Sequence, residues 1–125
     1  MLNRDAILNA QDIRREVVSV PEWGGEVCVQ GMSGAQRDEF EQTWAQKADG
    51  IVPNIRATFA AWSICDEDGR RLFATADIEA LGRKSANALD RIFTVAQRLS
   101  GLSDADAEEL VKNSADGQSE DSTLD

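Results

Sequence analysis

Histidine is absent from this 125-residue sequence. That removes the commonest general base near neutral pH and the commonest metal ligand, which excludes catalytic triads and histidine-based zinc sites. Cysteine is nearly absent: Cys28 and Cys65 are the only two. Two cysteines build no disulfide framework, and these lie too far apart in sequence for a metal knuckle. Both are expected to be buried as small hydrophobes in a reducing cytoplasm. No apolar run is long enough to span a bilayer, and "MLNRDAILNAQD" lacks a signal peptide's apolar core. No glycine-rich phosphate loop of standard spacing occurs. Basic residues are outnumbered, 13 against 23 acids, and a formal charge of −10 argues against a nucleic-acid partner. An enzyme is not expected, and no cofactor or metal is called for.

What is present first suggests a cation site. The stretch 64–82, "ICDEDGRRLFATADIEALG", has three acids and a glycine in the style of a calcium loop. Such a loop needs oxygen ligands at its first, third and fifth positions, glycine at the sixth and a chelating carboxylate at the twelfth. With Gly69 sixth, Asp66 and Asp68 fall correctly, but Ile64 stands first and Thr75 twelfth. Starting at Asp66 instead brings Asp77 to the twelfth place and puts Arg71 where glycine is required. The stretch reads as a polar turn, Asp-Gly making the bend and "RRLF" leaving it extended.

The acidity is concentrated at one end. Residues 103–125 hold eight acids against Lys112 alone, whereas residues 1–102 hold 15 acids and 12 bases. The folded part is therefore close to neutral. Periodicity gives its elements. Asn3 caps a short helix over "RDAILNA". Val18 and Val20, then Val27 and Val29, alternate on either side of "PEWGG", which predicts a hairpin over about 15–31. A lone hairpin is barely stable in water, so one face must rest on helices or a partner. "SGAQ" at 33–36 is a capping box opening a helix over about 34–48, along which Phe40, Trp44 and Ala48 form a stripe. Pro53 suits the first turn of a helix over about 54–65, with Ile55, Phe59 and Trp62 on one side. Thr75 caps a short helix at 76–82 ended by Gly82. Ser85 opens the most regular helix, about 86–100, in which Leu89, Ile92, Phe93, Ala96 and Leu99 follow helical spacing up to Gly101. A last acidic helix is expected at 104–111. Beyond Asn113 the chain is too poor in apolar residues to order itself.

The expected fold is α+β and predominantly α-helical: an N-terminal β-hairpin packed on a bundle of four to five helices, one globular domain over 1–113, and a disordered acidic tail at 114–125. The aromatics Phe40, Trp44, Phe59, Trp62, Phe73 and Phe93 are expected in the core. Trp23 is different, because a residue in a hairpin turn has little local cover. It either folds back onto the helices or stands as an exposed anchor of the kind that concentrates binding energy. Lys84, Arg91 and Arg98 recur every seven residues, a solvated helix face or a docking strip for an acidic helix. The candidate partner-binding residues are accordingly Val20, Pro21, Trp23, Val27 and Val29 on the hairpin, with Lys84 just before the last long helix and Arg91 and Arg98 on it.

"VPEWGGEVCVQGMSGAQRDEFE", "CDEDGRRLF", "DIEALGRKSANALDRIF" and "QRLSGLS", in this order and near this spacing, resemble the tail assembly chaperones of long-tailed siphophages and their prophages. The resemblance runs from about Glu16 to Ser103, and "VPEWGG" is its most distinctive piece. It implies a non-enzymatic assembly factor of the infected host's cytoplasm, not kept in the mature virion. Such a factor coats the tape-measure protein, keeps it soluble, and helps recruit the tail-tube protein. The resemblance also implies a longer frameshifted form of the same chain as a partner, and self-association is among the expectations. It carries no functional residue across side chain by side chain. The competing reading is a small acidic regulator, an antitoxin or nucleic-acid mimic, that blocks a basic surface. The near-neutral balance of residues 1–102 counts against it.

Overall fold

The computed structural model describes residues 1–45 and 53–102, and the side chains of all of these except 43–45. The expected helix at 104–111, the acidic tail at 114–125, residues 46–48 of the expected second helix and the Trp44 side chain lie outside them.

The chain opens with helix α1 (Arg4–Asn9), capped by Asn3, whose side-chain oxygen accepts from the Ala6 N–H at 2.8 Å. Strands β1 (Arg15–Val20) and β2 (Gly25–Gln30) then form the expected hairpin, with Val18 opposite Val27 and Val20 opposite Gly25. Alternation sorts the faces: Val18, Val20 and Val29 point inward and are buried, while Val17 points out and is exposed.

Helix α2 (Gly34–Ala45) begins with the predicted capping box in both directions. The Gln36 N–H donates to Ser33 Oγ at 3.1 Å, and the Ser33 N–H to Gln36 Oε1 at 2.9 Å. Helix α3 (Ile55–Ser63) is the centre of the molecule. It buries Ile55, Ala57, Phe59, Ala60, Ala61, Trp62 and Ser63, and so is apolar nearly all round. Its N-cap is Asn54, at a left-handed φ of 53°, and Pro53 therefore precedes the first turn instead of sitting in it.

The expected helix at 54–65 stops early. Ile64 and Cys65 form strand β3 (Ile64–Cys65), antiparallel to β2, with Cys28 opposite Cys65 and Val29 opposite Ile64. The sheet thus has three strands in the order β1-β2-β3, and the hairpin's outer edge is β1 alone. The Asp66–Arg70 turn brings Arg71 back to bridge Cys65. A 3-10 turn (Thr75–Asp77) leads into α4 (Ile78–Leu81). Thr75 makes no side-chain cap here; Asp77 Oδ2 accepts from the Ala74 N–H at 2.8 Å instead. Helix α5 (Ala86–Leu99) starts from Ser85, which accepts from the Ala88 N–H at 3.3 Å, and is closed by Gly101 at φ 76°.

The core lies where α5 packs against both α3 and the inner face of the sheet. Ala57, Ala60 and Ala61 of α3 and Ala88 and Ala96 of α5 are all buried in this cluster. The rings of Phe40, Phe59 and Phe93 form an edge-to-face run with centroids 5.0 and 4.9 Å apart. Fully burying a side chain the size of Ile64 or Ile92 stabilises by about 1.5–3 kcal/mol, so this layer dominates the fold's energy.

Candidate interaction surface

The hairpin turn is a 3-10 turn, Pro21–Trp23, with Pro21 supplying the fixed φ at its start. It closes at Gly24, whose φ of 79° favours glycine and whose N–H donates to the Pro21 carbonyl at 3.0 Å. Two ion pairs hold this arm down on α5. Arg91 donates from both terminal nitrogens to the two oxygens of Glu22, at 2.8 and 3.1 Å, and Arg98 donates to Glu16 Oε2 at 2.9 Å. Glu16 lies in β1 and Glu22 in the turn, so the strip at seven-residue spacing on α5 grips the hairpin at two points. The hydrogen bond from Arg91, helped by the turn's own backbone, lowers the Glu22 carboxyl from 4.5 to about 2. Arg98 lowers Glu16 in the same way. Lys84, before α5 begins, is exposed.

The remaining candidates divide by burial. Val20 and Val29 have no exposed surface and serve the core as the fold stands. Val27 and Trp23 are half-buried against that core, and Pro21 is exposed. Trp23 packs against the core cluster and stays half-buried, next to the exposed Pro21.

The acidic turn at 66–69 has its carboxylate engaged internally. Asp66 Oδ1 accepts from the backbone N–H groups of Asp68 and Arg70, at 2.8 and 2.9 Å, which lowers its pKa, the Arg70 contact contributing most. Among the described residues no group of three or more metal-ligating side chains occurs. Beside the turn, the thiols of Cys28 and Cys65 face each other across β2 and β3. Cys65 is buried as expected, while Cys28 is half-buried because its side of the sheet is only partly covered. Burial, and then the neighbouring Cys28 thiol, push Cys65 up to about 11, far from the thiolate that nucleophilic chemistry needs.

Two apolar features were missed at the level of sequence. One is a groove of about 790 Å³ between α2, α3 and α4, lined by Phe40, Thr58, Trp62 and Ile78, with Glu39 and Glu79 along it. Helical spacing had marked Phe40 and Trp62 as core, and no local pattern says that two core rings also form the floor of an opening. The other is the N-terminal segment, where Met1, Leu2, Ile7, Leu8 and Ile13 are all exposed. No described helix is long and apolar enough to cross a membrane.

No family model and no curated protein matches the sequence. Among solved structures, the bacteriophage HK97 tail assembly chaperone matches with a TM-score of 0.53 at 19% identity, over 80% of this chain and 95% of that one. The three-stranded sheet and its helices are similar in fold to a phage tail assembly chaperone.

Proposed function

We propose that this chain is a tail assembly chaperone that works by reversible protein–protein binding and not by catalysis. In this reading it binds the tape-measure protein in the host cytoplasm, keeps it soluble, and helps recruit tail-tube subunits, leaving before the virion is complete. The single observation that carries the reading is the likeness in fold to the HK97 chaperone across nearly the whole of that protein. The site's chemistry agrees with it. In the stretch where a cation site was sought, the Asp66 and Asp77 carboxylates accept from backbone N–H groups, and the one strongly shifted thiol is deactivated. A helical client needs apolar surface with a polar border, and the half-buried Trp23 beside Pro21 has that character, as does the groove between α2, α3 and α4. Repeated weak contacts along a long client give avidity without tight single-site affinity, and net negative charge keeps crowded copies apart.

The test is co-expression with the tape-measure protein of the same virus. The long protein is expected in the soluble fraction only when this chain is present, and the two are expected to copurify. A tape-measure protein that stays insoluble, or that never copurifies, overturns the reading. Trp23→Ala is expected to weaken copurification more than it lowers the melting temperature; the opposite order makes Trp23 a packing residue only.

A further inference from the structure

Cys28 and Cys65 are the only cysteines in the chain, and the fold sets them face to face. They come from separate parts of the sequence, Cys28 from within β2 and Cys65 from the short strand that follows α3. The antiparallel register makes them direct partners, so their side chains leave the sheet on the same side. Directly opposed residues of such a pair hold their Cα atoms about 4.5–5.5 Å apart, inside the range of roughly 4.4–6.8 Å that a disulfide spans. The two side chains already touch, through a hydrogen bond between the thiols. Packing alone does not ask for this, because two small hydrophobes fill space as well out of register.

Access to the pair is one-sided. By the two registers, Val17, Cys28 and Cys65 form one row across the three strands. Val17 is exposed, Cys28 half-buried and Cys65 buried, so the row is open at its β1 end and closed at its β3 end. A reagent therefore meets Cys28 first, and Cys65 is reached through Cys28.

We propose that Cys28 and Cys65 are an oxidative modification site, at which a small disulfide of the glutathione type closes an intramolecular bond that staples β3 to β2. The Cys28 thiol loses its proton, and the thiolate attacks one sulfur of the small disulfide, breaking its S–S bond. A mixed disulfide forms on Cys28 and one small thiolate leaves. The Cys65 thiolate then attacks Cys28 Sγ, which forms the protein disulfide and expels the second small thiolate. The two departing thiolates take up the two protons that the cysteines release. The protein is thus oxidised by two electrons and the small disulfide is reduced to two thiols. Burial holds Cys65 above the usual thiol range, which makes the second step the slower one. Attack within one molecule offsets part of that, and Cys28 in a mixed disulfide is no longer an ionisable neighbour that raises Cys65. The loop so closed contains the whole of α2 and α3, which constrains the unfolded chain strongly. The bond also ties the hairpin, with Trp23 in its turn, to the end of α3. This site is independent of which client the chain binds.

The experiment incubates the full chain in buffers of varied oxidised-to-reduced glutathione ratio, quenches with acid, and maps the cysteines by mass spectrometry. The expected product is a monomer that has lost two hydrogen atoms and yields a Cys28–Cys65 linked peptide. Its melting temperature is expected to rise by about 10 °C and to fall back on reduction. Bond and fold support each other, so the disulfide is expected to withstand at least about tenfold more reduced glutathione in native buffer than in denaturant. Cys28→Ala, at a half-buried position, keeps the fold, and its melting temperature is expected to ignore the oxidant. A chain that stops at the mixed disulfide on Cys28, or that links two copies through Cys28, overturns the proposal. So does a disulfide that lowers the melting temperature, or one reduced as readily in native buffer as in denaturant.

Discussion

Glu22 and Arg91, 69 residues apart in sequence, meet through two parallel hydrogen bonds of 2.8 and 3.1 Å. The pair ties the tip of the hairpin to the middle of α5, and Glu16 with Arg98 repeats the arrangement further down. Bidentate geometry makes such a contact directional, which a lone lysine would not achieve. Both pairs are open to solvent, so their contribution is screened by salt.

The pH dependence follows from the sign of the shift. The folded-state pKa of Glu22 is depressed, from 4.5 to about 2, so its contribution is fully present above about 4.5 and is lost as pH falls toward about 2. Glu16 acts in the same direction. The melting temperature of the wild type is therefore expected to fall more steeply through this acid window than that of Glu22→Gln, and high salt is expected to narrow the gap. Parallel melting curves over the window would show that the pair does not support the fold.

A second relationship fixes where the end of α5 lies. Gly31 follows β2 against the last turn of α5, and a Cβ there would overlap the Leu99 carbonyl, with the carbonyl carbon only 2.9 Å away. The approach is reinforced by the Met32 N–H, which donates to Ser100 Oγ at 3.1 Å. Backbone on both sides leaves little room to yield. Gly31→Ala is expected to destabilise by about 1–3 kcal/mol, read by denaturant titration, whereas Gly34→Ala, with open space around it, is expected to cost far less.

Phe59 is the hub of the ring cluster. It has no exposed surface and stacks edge-to-face on Phe40 and Phe93 at once. Truncation to alanine removes both contacts and leaves a cavity that neighbouring helices cannot close. Phe59→Ala is expected to cost about 3–5 kcal/mol, enough to populate unfolded chains in a domain of ordinary stability. Phe73→Ala, at a half-buried position flanking the turn, is expected to cost clearly less in the same measurement.

The sequence reveals features governed by near neighbours. The Ser33–Gln36 box, the Asn3 and Ser85 caps and the alternating valines of the hairpin follow from contacts within a few residues, and each stands where its spacing puts it. Strand β3 was not legible, because Ile64 and Cys65 continue an apolar helical run and become a strand only when β2 offers its edge. Nor were the partners of Arg91 and Arg98. A row of cations at seven-residue spacing looks the same whether it faces water or grips a hairpin, and only the tertiary contact to Glu22 and Glu16 decides. The same limit hides the groove, since Phe40 and Trp62 come together from two helices.

The cross-strand thiols give a prediction separate from any partner. Cys65 is buried and pushed up to about 11, so at pH 8 only roughly one thiol in a thousand is ionised. Even that fraction is reached by a reagent only when β3 opens from β2. Cys28 lies half-buried on the outer side of the sheet and needs no such opening. Alkylation of the native chain is therefore expected to be biphasic, Cys28 first and Cys65 much later, with the two rates converging in denaturant. Cys28→Ala removes one of the groups that raise Cys65 but leaves its burial, the larger cause, in place. The slow phase should thus persist in that variant. Prompt labelling of Cys65 in the native variant would mean that β3 is not held against β2 as its register requires.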